Sequence, residues 1–262
     1  MSGLADERKA ACAAIYTHPG VRWLLGGELH PGGEATTRRA LELIGVAPGD
    51  RLLDVASGTG ASALLAAREL GCVVAGVEYS TDAVRDAQQA ADADGLCDRV
   101  GFVAGDAEAL PFGEAEFDAA LCECSLCTFS DQARAIAEIR RVLRPTGRIA
   151  LCDVTAERER LPADLGGALA TLACVGEARS LAGYRELLNE SGLRVTAVEL
   201  RAEDAAALAD RVLDRLRGAR VLGIAADDEA PFSIGEAIQL VRAARGAIDD
   251  GALGYAIIAA AC

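Results

Sequence analysis

Three cysteines lie close together in the sequence, at Cys122, Cys124 and Cys127. An ionised thiol is a nucleophile and a soft ligand, so this cluster indicates thiol chemistry or the binding of a thiophilic centre. We expect Cys122 and Cys124, at a strand end, to face opposite ways. The C-x-C-x-x-C spacing does not match the paired spacing of structural zinc sites, which also need a fourth ligand. We therefore expect no resident metal.

A glycine-containing loop is the second feature that indicates a ligand site. An apolar strand that carries Asp54 breaks into the turn 56–60, and a helix-forming run of Ala and Leu follows. Gly58 and Gly60 permit positive φ and have no Cβ, so a ligand can lie against the backbone. The exposed amides of the next helix favour an anionic or strongly polar group. Glu78 ends the next apolar strand, where an acid is suited to bind ribose hydroxyls.

The same loop excludes two common nucleotide sites. Its sequence SGTGAS has no third glycine, so the G-x-G-x-x-G fingerprint of dinucleotide folds is absent. No G-K-[ST] follows it, which excludes a phosphate-loop nucleotidase.

Charge and composition limit the partners. The chain of 262 residues has 40 acidic and 26 basic residues, for a net charge of −14. No basic run is present, so we expect neither nucleic acid nor an anionic membrane surface as a partner. No apolar run reaches the ~20 residues that span a bilayer, and the N-terminus does not resemble a secretory signal. We expect a cytoplasmic monomer or homodimer in which some of the nine cysteines are used as thiols.

Strands alternate with helices along most of the chain, which predicts an α/β fold with a mostly parallel sheet and helices on both faces. Seven strands are predicted, at 52–55, 72–77, 100–104, 117–121, 147–153, 194–200 and 255–261. The main helices are predicted at 37–44 with Thr36 as cap, after Gly60, and at 81–93, 132–143 and 181–191, with a small-residue helix that holds Cys174. Ligands bind outside the carboxyl ends of such strands.

The predicted organisation has a core and two additions. Residues 1–34 form an N-terminal helix at 4–16 and a lid-like arm, and residues 35–200 form the ligand-binding core. Residues 201–252 are a charged, alanine-rich helical insertion, broken at 227–231, which suits a lid or a dimer face. Residues 253–262 then return to the sheet as its last strand.

Five segments in register resemble the class I S-adenosylmethionine-dependent methyltransferases, which have a Rossmann-like sheet. They are LLDVASGTG, VEYS, GDAEALPF, FDAALCEC and RRVLRPTGRIALCDV, within residues 35–200. The resemblance implies that Ala56, Ser57, Gly58 and Gly60 surround the methionine moiety and that Glu78 holds the ribose. It places Tyr79 against the adenine, with Asp106 and Ala107 at its edge. The complete expected cofactor set is Asp54, Ala56, Ser57, Gly58, Gly60, Glu78, Tyr79, Asp106, Ala107 and Glu123.

A narrower resemblance concerns the methyl acceptor. The stretch CECSLCTFSDQARAIAEIRRVLRP is similar to the fourth motif of the arsenite methyltransferases, with Glu123 at their Asn and Cys124 at their Cys. ATLACVGEARSLAGYRELL places Cys174 on their second arsenic-binding cysteine. Two thiolates at one edge suit As(III), whose lone pair attacks a sulfonium methyl without a base. Their N-terminal cysteine pair has no clear counterpart here. The cluster of Cys122, Cys124 and Cys127 is therefore a candidate source of the third thiol, or serves a different acceptor such as a selenium, tellurium or thiol compound. The region after residue 200 also differs.

Two other functions remain open from the sequence. Methylation of carbon or oxygen on a small metabolite, as in quinone-biosynthesis relatives, would need only the cofactor motifs, and His30 is then a candidate base. A non-catalytic sensor of S-adenosylmethionine would bind the cofactor without turnover. The expected partner is thus a small molecule or a metalloid.

Overall fold

Buried apolar strands form one sheet at the centre of the protein. The computed structural model describes residue 9 and residues 18–26, 29–166, 175–222 and 233–262. The strands are β1 (Arg51–Val55), β2 (Val73–Glu78), β3 (Val100–Ala104), β4 (Phe117–Glu123), β5 (Leu143–Ala156), β6 (Arg194–Leu200) and β7 (Leu253–Ala261). Their order is β3-β2-β1-β4-β5-β7-β6. Strands β1 to β5 pair in parallel, and β7 runs antiparallel between β5 and β6.

Helices cover both faces of this sheet. Within the described ranges they are α1 (Pro19–Leu25), α2 (Gly33–Leu43), α3 (Ala61–Leu70), α4 (Thr81–Ala93), α5 (Gln132–Val142), α6 (Leu181–Glu190), α7 (Ala202–Val221) and α8 (Ile234–Asp249). Side chains alternate across each strand, so Leu53 packs with α5 and α6 while Leu52 packs with α2 and α3. The sheet is therefore buried on both sides, as its apolar strands require.

The two helices before β7 form a platform for the N-terminal arm. Helices α7 and α8 share a small apolar core with Leu24 of α1. Arg215 of α7 donates to the backbone carbonyls of Trp23 and, at 3.3 Å, of Leu24. Its guanidinium also lies 6.0 Å from the centre of the Trp23 ring. The insertion thus fixes one end of α1 over the core.

Most sequence predictions of the fold are confirmed. The seven-stranded, mostly parallel sheet has the expected strands, although β5 is longer than predicted and runs over Leu143–Ala156. The predicted start of the first core helix was wrong: α2 begins at Gly33, after Gly32 with φ 78°. Thr36 is buried inside that helix and its hydroxyl lies 3.4 Å from Asp204.

Some predictions fall outside the described residues. These are most of the helix at 4–16, most of the small-residue helix that holds Cys174, and the break at 227–231. In the part of the chain that the structure covers, no helix is both long and apolar enough to cross a bilayer.

Gly60 is a position where the fold depends on a missing side chain. It has φ 85°, and a Cβ there would lie 2.5 Å from the Phe102 ring and 3.1 Å from Ala87. Gly49 has a similar φ of 86°, but a Cβ there would meet no atom within 4 Å. A side chain at either glycine would therefore cause the same backbone strain, but only at Gly60 would it also clash with neighbouring atoms.

Alanine at each of the two positions separates strain from packing. We expect Gly49→Ala to lower the free energy of unfolding by ~1 kcal/mol through strain, and Gly60→Ala by ~2–4 kcal/mol through strain and overpacking. Urea unfolding measures both losses, and equal losses would refute the packing argument.

Candidate functional site

The loop after β1 is held by its own backbone and by one carboxylate. Ala56 and Gly58 have positive φ, of 57° and 54°. The amide of Ser57 donates to the Val77 carbonyl at 3.0 Å, and the amide of Gly60 donates to the Ser57 carbonyl at 2.9 Å. The amide of Gly58 donates to the Glu78 carboxylate at 2.9 Å. These three loop amides are therefore engaged within the protein.

Glu78 connects this loop to the end of β2. One of its oxygens accepts from Gly58, and the other accepts from the amide of Ser80 at 2.9 Å. The carboxylate is 8% exposed and lines the central cavity. Because each carboxylate oxygen has two lone pairs, Glu78 keeps acceptor sites for a ligand hydroxyl.

The central cavity lies at the carboxyl ends of β1, β2 and β4. Its volume is about 470 Å³, within the range of small-molecule sites. Ten of the predicted site residues line it: Asp54, Ala56, Ser57, Gly58, Glu78, Tyr79, Asp106, Ala107, Glu123 and Cys124. Gly60 is placed behind the loop against Phe102, and Cys127 is outside the lining. Cys174 lies outside the described residues.

Two buried polar atoms of this cavity have no hydrogen-bond partner within the described residues, Oδ2 of Asp54 and Oγ of Ser57. Unsatisfied buried polar atoms are rare in native proteins, and both residues belong to the lining of the cavity. A Cβ on Gly58 would meet only Leu29, at 3.8 Å, so the loop backbone is open on the cavity side. The residues present therefore fit a polar ligand laid against this loop.

Carboxyl groups dominate the charge of the cavity. Burial raises the pKa of Asp54 well above its usual value, and the charges of Glu123 and Glu78 raise it further, while the Ala63 amide opposes the shift. Glu123 accepts from the hydroxyl of Ser62 at 2.6 Å. This crowding of acids favours a ligand that carries positive charge.

Histidine and threonine from the N-terminal side complete the Glu123 environment. The hydroxyl of Thr37 donates to Glu123 at 3.1 Å. Nε2 of His30 is 3.7 Å from the Glu123 carboxylate and 3.4 Å from the Thr37 hydroxyl. The sequence indicates His30 as a candidate base, but it predicts Thr37 only as the start of a helix and gives Ser62 no role. No local motif marks the last two, because tertiary packing brings them to Glu123.

Lys9 occupies the opposite end of the cavity. Its ammonium is 2.7 Å from both the Asp106 and the Glu108 carboxylates. Burial opposes the charged ammonium, but the hydrogen bonds and charges of these two acids raise the pKa of Lys9 above its usual value. Sequence reasoning missed Lys9, since nothing near it in the sequence indicates a contact with Asp106.

The cysteine cluster is divided by the structure. Cys122 is buried with Sγ 3.2 Å from the Ser125 hydroxyl, and burial raises the pKa of its thiol far above the usual value. Cys127 is 1% exposed and its amide donates to Asp153 at 3.2 Å. Cys124 has φ 49° and is the member of the cluster that lines the cavity. Among the described residues, no group of three His, Cys, Asp or Glu is arranged to hold a metal ion.

Comparisons with known proteins agree with this fold. A methyltransferase domain family matches residues 53–151. The 27-O-demethylrifamycin SV methyltransferase of Amycolatopsis mediterranei (strain S699) is 30% identical over 239 residues, which cover 87% of this chain and 84% of that protein. Several other curated relatives are matched over about half of their own length.

Solved structures extend the likeness to the whole fold. The [4+2]-cyclase SpnF is 27% identical, with a TM-score of 0.71 over 90% of both chains. A geranyl diphosphate methyltransferase in complex with S-adenosylmethionine superposes with a TM-score of 0.72 at 22% identity, over 95% of this chain and 94% of that one.

The chain belongs to the class I methyltransferases that use S-adenosylmethionine, and this compound is its cofactor. The cofactor carries an ammonium and a sulfonium, both of which suit the acids Asp54, Glu78 and Glu123. The narrower likeness to arsenite methyltransferases finds no support in these comparisons.

Asp54 makes stability depend on pH in a defined direction. Its pKa is raised in the folded state, so above pH ~4 the native protein holds a proton that the unfolded chain has lost. The free energy of unfolding of the ligand-free protein then falls as pH rises, by up to ~1.4 kcal/mol per pH unit, until the native carboxyl ionises. We expect Asp54→Asn to remove this decline, as measured by urea unfolding between pH 5 and 8.

Asp118 provides the matched control. Despite burial, the Arg51 amide and the Arg144 guanidinium lower the pKa of Asp118. Its contribution to stability is therefore present above its usual pKa and is lost as pH falls. Asp118→Asn should lower stability at neutral pH and leave the decline caused by Asp54 intact. A decline that survives in Asp54→Asn would show that another group causes it.

Proposed function

We propose that the protein transfers the methyl group of S-adenosylmethionine to a hydroxyl of a small organic acceptor. The observation that carries the proposal is the position of His30, which lines the cavity beside the buried Glu123 carboxylate. An alcohol or phenol is a poor nucleophile until its proton is removed, so oxygen methylation benefits from a nearby base. A carboxylate next to the imidazole stabilises the imidazolium that forms when it takes the proton.

The contacts of His30 leave its ring available. Nε2 lies 3.4 Å from the Thr37 hydroxyl, and Nδ1 lies 3.4 Å from the Pro31 carbonyl. Both distances exceed the usual 2.7–3.2 Å of strong hydrogen bonds, so a substrate hydroxyl can replace either partner. The side chain is 13% exposed, which gives the acceptor access from the cavity.

The reaction then needs a base and a fixed geometry. The bound cofactor supplies an electrophilic methyl on a positively charged sulfur. In the transfer, the acceptor oxygen would form a bond to the methyl carbon, and the sulfur would keep the electron pair of the broken carbon–sulfur bond. His30 takes the acceptor proton, and Glu123 holds the ring through Thr37 and its own charge. Leu29 and Phe129 line the cavity and limit water.

Two relatives bear on this proposal in different ways. The name of the rifamycin methyltransferase describes methylation at an oxygen of a large natural product, which supports an organic acceptor. SpnF is described as a cyclase, so likeness of fold does not establish methyl transfer. Methyl transfer must therefore be measured directly.

The second candidate is a thiophilic acceptor, such as arsenite, bound by Cys124 together with Cys127 or Cys174. Cys124 supports it because this thiol lines the same cavity. The burial of Cys127 weighs against a third thiol, since its side chain would have to move to reach a ligand in the cavity. A trivalent arsenic needs no base, so this candidate makes no use of His30.

Two substitutions separate the candidates. For a hydroxyl acceptor, we expect His30→Gln to lower kcat by ~10²–10⁴-fold through loss of the base, while Cys124→Ser stays close to the wild type. The measurement is formation of S-adenosylhomocysteine with 27-O-demethylrifamycin SV and simple phenols, and in parallel with arsenite plus glutathione. Calorimetry with S-adenosylmethionine serves as the control for intact cofactor binding in both variants.

Other outcomes identify other functions. Turnover with arsenite that is lost in Cys124→Ser would overturn the proposal in favour of the metalloid. Turnover with demethylmenaquinone and none with hydroxyl acceptors would overturn the proposal in favour of methylation at carbon. Cofactor binding with no product from any acceptor would favour a sensor or a cyclase.

A further inference from the structure

We propose that Arg22 binds the carboxylate of the cofactor's methionine moiety. Arg22 lies on α1, is half-buried and lines the central cavity. The inference rests on the cofactor and not on the identity of the acceptor.

The glycine loop does not offer its amides to this carboxylate. Within the loop, Ser57, Gly58 and Gly60 already donate their amides to Val77, Glu78 and Ser57, respectively. The lining of the cavity includes the acids Asp54, Glu78 and Glu123. A carboxylate bound beside them needs a compensating cation, because a buried anion without one is costly.

The basic side chains that line the cavity differ in the partners they already have. Lys9 is paired with Asp106 and Glu108 at 2.7 Å, and His30 faces Glu123. Arg22 forms no ion pair with any residue that the structure describes. Its guanidinium presents a planar fork of donors that matches a carboxylate in a bidentate arrangement.

Contacts between α1 and α7 fix the position of Arg22 beside the cavity. Arg215 donates to the carbonyls of Trp23 and Leu24, so the last turn of α1 is tied to α7. Gly26 follows with φ 82°, and its amide donates to the Arg22 carbonyl at 2.9 Å. A Cβ on Gly26 would lie 2.7 Å from the Arg215 guanidinium, so glycine is needed for this close approach. Arg215 is thus a positioning residue for Arg22.

The test compares two ligands that differ by one group. Calorimetry measures the affinity of the full chain for S-adenosylmethionine and for decarboxylated S-adenosylmethionine, which keeps the ammonium and the sulfonium. We expect Arg22→Ala to lower the affinity for S-adenosylmethionine by about 10- to 100-fold, as the loss of a charged hydrogen bond does. The affinity for the decarboxylated ligand should not change. Arg22→Lys keeps the positive charge without the planar guanidinium, so it should lose less affinity for S-adenosylmethionine than Arg22→Ala.

Matched variants separate positioning from general damage. Arg217→Ala removes an exposed arginine of the same α7 that pairs only locally with Asp214, and it should bind both ligands as the wild type does. Arg215→Ala should show the same selectivity for the carboxylate as Arg22→Ala, with a smaller loss. Trp23, the only tryptophan, reports the arm by its fluorescence, which should change in Arg215→Ala and not in Arg217→Ala.

Three results would overturn the assignment. These are equal losses for both ligands in Arg22→Ala, no loss for either, or a raised KM for an acceptor with cofactor affinity intact, which would place Arg22 at the acceptor. Because binding is measured without turnover, the binding comparison can be interpreted even if the proposed methyl transfer is not observed. Failure of the Arg22 assignment likewise leaves the proposed reaction open.

Discussion

The bond between the Glu78 carboxylate and the Gly58 amide is the interaction on which the site depends. The loop after β1 has positive φ at Ala56 and Gly58. Because an alanine rarely adopts positive φ, contacts from outside the loop must stabilise this conformation. Glu78 pins this loop from the neighbouring strand and at the same time receives the Ser80 amide that begins the turn into α4. One side chain therefore sets the distance between two loops that line the cavity.

The same arrangement places carboxyl groups where the ligand-free protein cannot satisfy them. Asp54 is 3% exposed with an unpartnered oxygen, and it is close enough to Glu78 and Glu123 for their charges to raise its pKa. Such crowding destabilises the ligand-free fold and is relieved when a cation enters. A ligand that brings positive charge to these acids would relieve their repulsion, so the cavity favours cations.

The sequence predicts the parts of the site that follow a strand directly. Asp54, Glu78 and Asp106 stand at or just after the ends of apolar strands, and parallel strands bring their carboxyl ends to one edge. A strict period of two would place Cys122 and Cys124 on the same face of the sheet. The strand β4 ends at Glu123 and Cys124 has φ 49°, so the strand pattern does not extend to Cys124, and only Cys124 of the two lines the cavity. The burial of Cys127 was not predictable, because the turn at Leu126–Thr128 rather than a strand decides its direction.

The residues that the sequence missed come from elements that are not adjacent to the sheet edge in the chain. Lys9, Arg22 and Thr37 carry no motif, since an arginine in a seven-residue helix looks like any surface charge until the fold places it. What places it is α7, which is nearly two hundred residues away in sequence and contacts α1 through Arg215. The helical insertion is therefore better understood as support for the wall of the cavity than as an appendage.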